Sequence, residues 1–387
     1  MNPHSSVARA ALDDLVTRGF SRRQVLRAVA MAGAAAALPL GSEPALAQLS
    51  GVEALPADAV KINANEFPEG PSTGALAALT AAAQQGNRYQ YPRTGALVGA
   101  AAVQEGLQPE HFAVYPGSSL ALHHAVIGFT SPTRALVVAD PGYEAAALAA
   151  TFIGAPVVRV PLRGDGAHDL PAMLAAARTQ PVGLFYVCNP NNPTGTVTPP
   201  AEIDALVAAA PPGSVVLLDE AYIHLSDEPR RADLVRAGKA VVLLRTFSKI
   251  YGMAGLRAGF AIGRPDLLAR MTGWNSGAMP ATAMAAALVA LGETELIAAR
   301  KRANAARRAD LMRFFDAHDY RYTPSVANHL MVDARRPTVE VIEALKQRHV
   351  YVGRPWPVWP THVRITVGSA ADMERFKREF VAVVVRA

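Results

Sequence analysis

The stretch Arg245-Thr246-Phe247-Ser248-Lys249-Ile250-Tyr251-Gly252-Met253-Ala254-Gly255-Leu256-Arg257-Ala258-Gly259 decides how the rest of the chain is read. It follows the aliphatic run 240–244, whose continuous branched residues predict a buried strand, and it sets one lysine among hydroxyls and glycines. A lysine between two short apolar runs is either half of a structural ion pair or an amine whose pKa burial lowers enough to form a Schiff base. The surroundings favour the chemistry. Thr246 and Ser248 bring hydroxyls, Arg257 brings a fixed cation, and Gly252, Ala254, Gly255 and Gly259 let backbone approach a ligand closely. Hydroxyls and an arginine beside a lysine suit a phosphorylated aldehyde.

Four further stretches occur around this one: Tyr143 in PGYEAAA, Asn192 in NPNNPTG, Asp219 and Tyr222 in LLDEAY, and Arg364 in HVRITVG. In this order they resemble the class I/II pyridoxal-phosphate (PLP) aminotransferases, from about Lys61 to the C-terminus. The opening INANEFPEGP and the closing VRITVG make the chain most similar to the histidinol-phosphate aminotransferase branch. The resemblance implies a PLP-dependent transaminase that moves an amino group between an L-amino acid, or a histidinol-phosphate-like amine, and a 2-oxo acid through a Lys249 Schiff base. A PLP lyase, decarboxylase or synthase on the same scaffold is the alternative, because cofactor-holding residues do not decide which Cα bond breaks. An exported, non-catalytic ligand-binding relative is a third reading, which Lys249 with the full cofactor set disfavours.

A chain of 387 residues, 51% hydrophobic and 18% charged, has length for two domains and apolar residues for a sizeable core. Its net charge of +6 is dispersed and owed mostly to arginine, with no basic tract interleaved with aromatics beyond the N-terminus, so nucleic acid is not an expected partner. The N-terminus reads as a targeting segment. Ser21-Arg22-Arg23-Gln24-Val25-Leu26 is a twin-arginine pattern, 28–40 is a weakly apolar, alanine-rich run, and Ala45-Leu46-Ala47 is a small-residue cleavage site. The competing reading is an ordinary amphipathic helix with a chance Arg-Arg pair. The run is too short for stable membrane insertion. The expected partner is therefore the twin-arginine export machinery, which carries folded proteins, and the expected location is periplasmic or extracellular. Cys188, the single cysteine, forbids an internal disulfide and reads as a small core residue.

Continuous apolar runs at 113–115, 136–139, 157–160, 184–187, 215–218, 241–244 and 259–262 alternate with helical stretches, which predicts an α/β fold with a mainly parallel seven-stranded sheet. A fold type I PLP-transferase, as the resemblance implies, has such a large domain plus a smaller α+β domain. The expected boundaries are 1–47 for the signal peptide, 48–87 for an N-terminal segment joining the small domain, 88–275 for the large domain and 276–387 for the small one. The arginines at 300, 302, 307, 308 and 313 read as a solvated helix face, and Tyr91, before Pro92, is expected outside the helical region.

The resemblance then assigns roles. Asp219, ending a strand where ligands collect in open sheets, would hold the pyridine nitrogen protonated, with the adjacent Glu220 the rival carboxylate. Asn192 and Tyr222 would bond the phenolic oxygen, and Tyr143 would stack on the ring or serve as ordinary packing. Ser118 and Ser119, opening a helix after Gly117, would hold the phosphate with Ser248, Arg257 and, more weakly, Thr246. Tyr91, with Tyr89 as the alternative, would reach the phosphate of the partner subunit in a homodimer. Arg364 would clamp the substrate carboxylate, with Asn65 also at the substrate. Histidinol-phosphate aminotransferases commonly carry an arginine where this chain has Gly353; Arg354 follows, then Trp356 and Trp359, which line an apolar substrate pocket or pack a rigid loop. His123 and His124 read as packing, and no spacing of histidine, cysteine and carboxylate suggests a metal.

Overall fold

The computed structural model describes residues 12–34, 55–273 and 278–385. Its strands are β1 (Val60–Ile62), β2 (Phe112–Tyr115), β3 (Ala135–Asp140), β4 (Val157–Pro161), β5 (Val182–Cys188), β6 (Val215–Asp219), β7 (Val241–Thr246), β8 (Gly259–Gly263), β9 (His329–Asp333), β10 (Val350–Val352) and β11 (His362–Thr366). All seven aliphatic runs enter one sheet of order β2-β8-β7-β6-β5-β3-β4. Only β8 runs against the others, pairing antiparallel with β7 and β2. Every residue of β5, β6 and β7 is buried, which is why these strands show no polar alternation.

Because the remaining strands share a direction, the carboxyl ends of β2, β3, β5, β6 and β7 meet at one sheet edge. Their continuations are Gly117-Ser118, Tyr143, the turn 189–195, Asp219-Glu220 and Lys249. Such an edge collects ligands because side chains and helix N-termini converge there. Helices Ser118–Phe129 and Ala145–Ile153 open directly onto it. Helices Thr73–Ala83 and Ala281–Gly292 pack together through buried alanines such as Ala75, Ala82, Ala283 and Ala286, whose small side chains permit close approach.

A second apolar core unites β1 and β10, which pair in parallel, with the antiparallel pair β9 and β11. Leu311, Phe315, Phe376 and Phe380 fill it. Here helix Thr294–Ala317 corrects part of the expectation of a solvated arginine face: Arg302 and Arg313 are exposed, but Arg300 and Arg308 are turned to protein carbonyls. Arg300 is buried and donates to Ile250 O (2.9 Å) and Gly70 O (2.7 Å), and Arg308 donates to the carbonyls of Val326 and Ala327. Residues 300, 304, 308, 311 and 315 share one helical face, so carbonyl-seeking arginines continue an apolar stripe.

Tyr91 is a second correction. It has helical angles, φ −48° and ψ −38°, although it is the N-cap of helix Pro92–Glu105, because turn bonds from Arg93 N to Gln90 O and Thr94 N to Tyr91 O outweigh the bias that proline imposes. The twin-arginine pattern starts helix Arg22–Ala34. The small-residue pattern 45–47 lies outside the described residues. Among the described residues no single helix is long and apolar enough to cross a membrane.

Candidate active site

Lys249 sits on the turn after β7, half-buried, with Nζ donating to Ala64 O at 3.3 Å and lying 5.5 Å from the centre of the Tyr222 ring. The Tyr222 hydroxyl accepts from Asn65 Nδ2 at 3.0 Å. Asn65 is itself held by three hydrogen bonds, to Thr366 and Asn328. Its backbone N donates to Thr366 Oγ1 at 3.0 Å, Thr366 Oγ1 donates to its Oδ1 at 3.1 Å, and Asn328 Nδ2 donates to its carbonyl at 3.0 Å. Asn65 therefore orients Tyr222.

Asp219 ends β6 and is almost wholly buried. One carboxylate oxygen accepts from Tyr186 Oη at 2.9 Å and the other from Ala221 N at 3.1 Å. Burial pushes its pKa up to about 6, opposed by those two hydrogen bonds and by the nearby Lys249 charge. Glu220 turns away. Its carboxylate pairs with Arg245 at 2.5 Å, and Arg245 also donates to Glu105 at 2.9 Å, all three being buried. Burial raises the Glu220 pKa and Arg245 pulls it back. The carboxylate beside Lys249 is thus Asp219, while its neighbour anchors strand ends behind the site.

A cradle lies where β2 and β7 end. Helix Ser118–Phe129 offers its unpaired N-terminal N–H groups there. Ser248 N donates to Thr246 Oγ1 at 3.1 Å, Thr246 Oγ1 donates to Ser248 Oγ at 2.9 Å, and Arg257 Nη1 reaches Ser248 Oγ at 3.4 Å. Burial lowers the Arg257 pKa. Gly117, at φ +84°, allows the approach: a Cβ there would lie 2.3 Å from Arg257 Nη2. Arg257 itself holds φ +59° and Asn65 φ +53°, conformations that cost energy in an L-residue and cluster at functional sites.

Arg364, fully buried in β11, donates through Nη1 to Asn192 Oδ1 at 2.8 Å and through Nη2 to Asn63 O. Trp356 is equally buried, its ring 5.1 Å from the Arg364 guanidinium, and its Nε1 donates to Gly142 O at 3.1 Å, next to half-buried Tyr143. Arg354 is paired with Glu144 and lies over the same ring. Trp359 is elsewhere, packed on His362. Tyr91 is 69% exposed and stacks on Tyr89 at 5.5 Å, and none of its described contacts reaches the cluster.

Three site residues escape the sequence reading. Tyr186 bonds Asp219, and its signal is a hydroxyl on a fully buried strand, which needs a partner. Glu144 neutralises Arg354. His329 packs edge-on to Tyr222 at 4.7 Å, with Nε2 3.2 Å from Asn191 O; nothing local in the sequence marks it.

The donor set fits pyridoxal phosphate. Hydroxyls, N–H groups and Arg257 suit the phosphate, Asp219 suits a protonated ring nitrogen, Asn192 and Tyr222 suit a phenolate, and Lys249 suits an aldehyde. Among the described residues no group of three His, Cys, Asp or Glu side chains could hold a metal.

The aminotransferase class I and II family matches residues 57–380. The histidinol-phosphate aminotransferase of Symbiobacterium thermophilum is 38% identical over 324 residues, 82% of this chain and 89% of the relative. An aromatic amino acid aminotransferase of Nocardia farcinica is 36% identical over 328 residues, 83% and 90% of the two chains. The crystal structure of histidinol-phosphate aminotransferase from Sinorhizobium meliloti in complex with pyridoxal-5'-phosphate has a TM-score of 0.78 and 26% identity, covering 89% of this chain and 95% of that one. Sheet, cradle and lysine accord with these matches along most of the chain, which belongs to the class I and II aminotransferase family and is a PLP-dependent transaminase.

Proposed function

We propose that the amino donor is an L-amino acid with an aromatic or apolar side chain and that the acceptor is a 2-oxo acid. The observation that carries this reading is the pairing of Arg354 with Glu144 above Trp356, which leaves that wall of the site neutral and aromatic. Gly353 supplies no side chain for a substrate phosphate. The relatives include both histidinol-phosphate and aromatic amino acid aminotransferases, and the neutral wall favours the second kind of donor.

Bound PLP supplies an electron sink for the charge left at the substrate Cα. Ser118, Ser119, Thr246, Ser248 and Arg257 hold its phosphate, and Tyr143 packs against its ring. Asp219 keeps a proton on the ring nitrogen. Asn192 and Tyr222 bond the phenolic oxygen, and Asn65 keeps the Tyr222 hydroxyl in place. Arg364 takes the substrate carboxylate in a two-pronged grip, its fork already oriented by Asn192 and Asn63. Lys249 Nζ would hold the cofactor's aldehyde carbon and, as a free amine, would be the base that takes the substrate Cα proton.

The working unit is a homodimer in which Tyr91 serves the partner subunit's phosphate, a reading supported by its exposure and by its stacking on Tyr89, with no described contact to the cluster of its own chain. Export by the twin-arginine route to the periplasm or beyond is supported by Arg22 and Arg23, both exposed at the start of their helix. Substitution of both by lysine, followed by cell fractionation, tests the address. The substrate is tested by kcat/KM for phenylalanine, tyrosine and leucine against histidinol phosphate, with 2-oxoglutarate as acceptor. Preference for histidinol phosphate refutes the assignment, and full activity of Lys249→Ala refutes the chemistry.

A further inference from the structure

The two helices that open on the cofactor site end against the N-terminal segment. Helix Ser118–Phe129 starts at the phosphate cradle, and helix Ala145–Ile153 starts just after Tyr143. At their far ends, last-turn carbonyls find no partner within the helix. Arg18 Nη2 donates to Ile127 O at 2.6 Å and also to Thr130 O, and Arg27 Nη1 reaches Phe152 O at 3.4 Å. Each guanidinium also meets the negative end of a helix dipole.

The contact continues between these polar caps. Leu15, Phe20, Ala28, Met31 and Ala32 are at most 5% exposed and belong to the same apolar core as the sheet. The His124 ring, in the middle of helix Ser118–Phe129, has Nε2 3.5 Å from Ala32 O. Gln24 lies on Gly154, where any Cβ would sit 2.1 Å from its Nε2. The outer side differs: Arg22 and Arg23 are exposed, and Val16 and Leu26 are 61% and 70% exposed.

We propose that residues 12–34 are an intramolecular cap of the cofactor-binding sheet domain, and that cap docking and binding of the PLP phosphate strengthen each other. The cofactor holds one end of the two helices and the cap holds the other, so a state that orders either end favours the other, and by linkage the coupling is reciprocal. A partner that engages the outward ridge around Arg22, Arg23 and Leu26 and draws the cap off would loosen the cofactor, and loading with cofactor would hold the cap down. The proposal rests on the PLP reading of the cradle and is independent of the substrate.

Hydrogen exchange of the full-length chain, followed by mass spectrometry with and without PLP, tests the link without any substitution. Residues 22–34 should exchange about fivefold or more slowly in the holoenzyme. In a second arm, PLP is titrated into the full-length apo-protein by absorbance. Arg18→Ala combined with Met31→Asp should bind it about fivefold or more weakly than wild type, and Arg18→Lys with Met31→Leu should bind like wild type. Equal exchange in both forms overturns the proposal, as does equal affinity of a folded Arg18→Ala/Met31→Asp variant. A wild-type apo-protein that takes up no PLP removes the cradle assignment and the linkage together, whereas PLP uptake with unchanged exchange removes only the linkage.

Discussion

Arg354 is committed to Glu144: its Nη2 donates to the Glu144 carboxylate, and the guanidinium carbon lies 4.0 Å from the centre of the Trp356 ring. A cation so engaged is not available to a substrate anion unless the pair opens. Glu144→Gln keeps the shape and removes the charge. It should raise kcat/KM for histidinol phosphate by about tenfold and leave phenylalanine nearly unchanged, since one charge-assisted hydrogen bond is worth about 1.5–3 kcal/mol. Steady-state kinetics with both donors checks this, and an unmoved histidinol-phosphate value places Arg354 out of substrate reach.

Gly353 is a glycine because of Arg364. A Cβ there would sit 2.8 Å from Arg364 Cβ and 2.9 Å from its carbonyl oxygen, while Gly353 N donates to that same oxygen at 2.9 Å. Neither neighbour is the free end of a flexible side chain. Gly353→Ala should therefore displace Arg364 from Asn192 and Asn63 and, on the proposed carboxylate role of Arg364, raise KM for every α-amino acid about tenfold, with PLP affinity unchanged. An arginine in this position, common in histidinol-phosphate aminotransferases, does not fit the present backbone.

Asp219 sets stability against activity. Burial lifts its carboxyl from an ordinary 3.8 to about 6, so in the cofactor-free enzyme its ionised form is disfavoured. Below about pH 4 the group is protonated in both folded and unfolded chains and contributes no penalty. Above about pH 6 it is ionised in both, and the full difference of about 3 kcal/mol counts against the fold. Asp219→Asn apoenzyme should melt higher than wild-type apoenzyme at pH 7–8, with the gain gone near pH 4, and its holoenzyme should lose most turnover. Thermal melts across pH, with and without PLP, check both signs.

The sheet is legible in the sequence because a strand buried on both faces needs only an unbroken apolar run, and β5, β6 and β7 are such runs. Helix Pro92–Glu105 is not, because Gly95 and Gly99 break its pattern and its stability comes from packing against Ala281–Gly292. Within the site, Lys249, Asp219 and Asn192 are legible because each stands in a short local motif at a strand end. Their supports are tertiary. Asn328 holds Asn65 across 263 positions and Arg354 meets Glu144 across 210, and no local pattern encodes such a pairing.

Arg245 balances two buried carboxylates, Glu105 and Glu220, directly behind the residues that carry Asp219 and Lys249. Arg245→Met leaves both anions without their shared cation and should lower stability by about 3–5 kcal/mol. Adding Glu105→Gln and Glu220→Gln to the same chain should recover much of that loss. Denaturant midpoints of the single and triple variants check this; equal losses would show that Arg245 acts through packing rather than charge.

Tyr91 stands 69% exposed on Tyr89, outside the site that its own chain builds. If it serves the partner's phosphate, each dimer has two sites, each made of one subunit's Lys249 and the other subunit's Tyr91. Lys249→Ala and Tyr91→Phe homodimers are both impaired at both sites. In a mixed dimer, the Lys249→Ala subunit's own site also receives the mutated tyrosine, so both lesions fall in one site. The other site pairs an intact Lys249 with an intact Tyr91. Mixing the two variants should therefore restore activity towards half the wild-type rate per heterodimer. Subunit exchange is followed with tagged chains, and exchange without recovery would put Tyr91 in its own chain's site or outside the chemistry altogether.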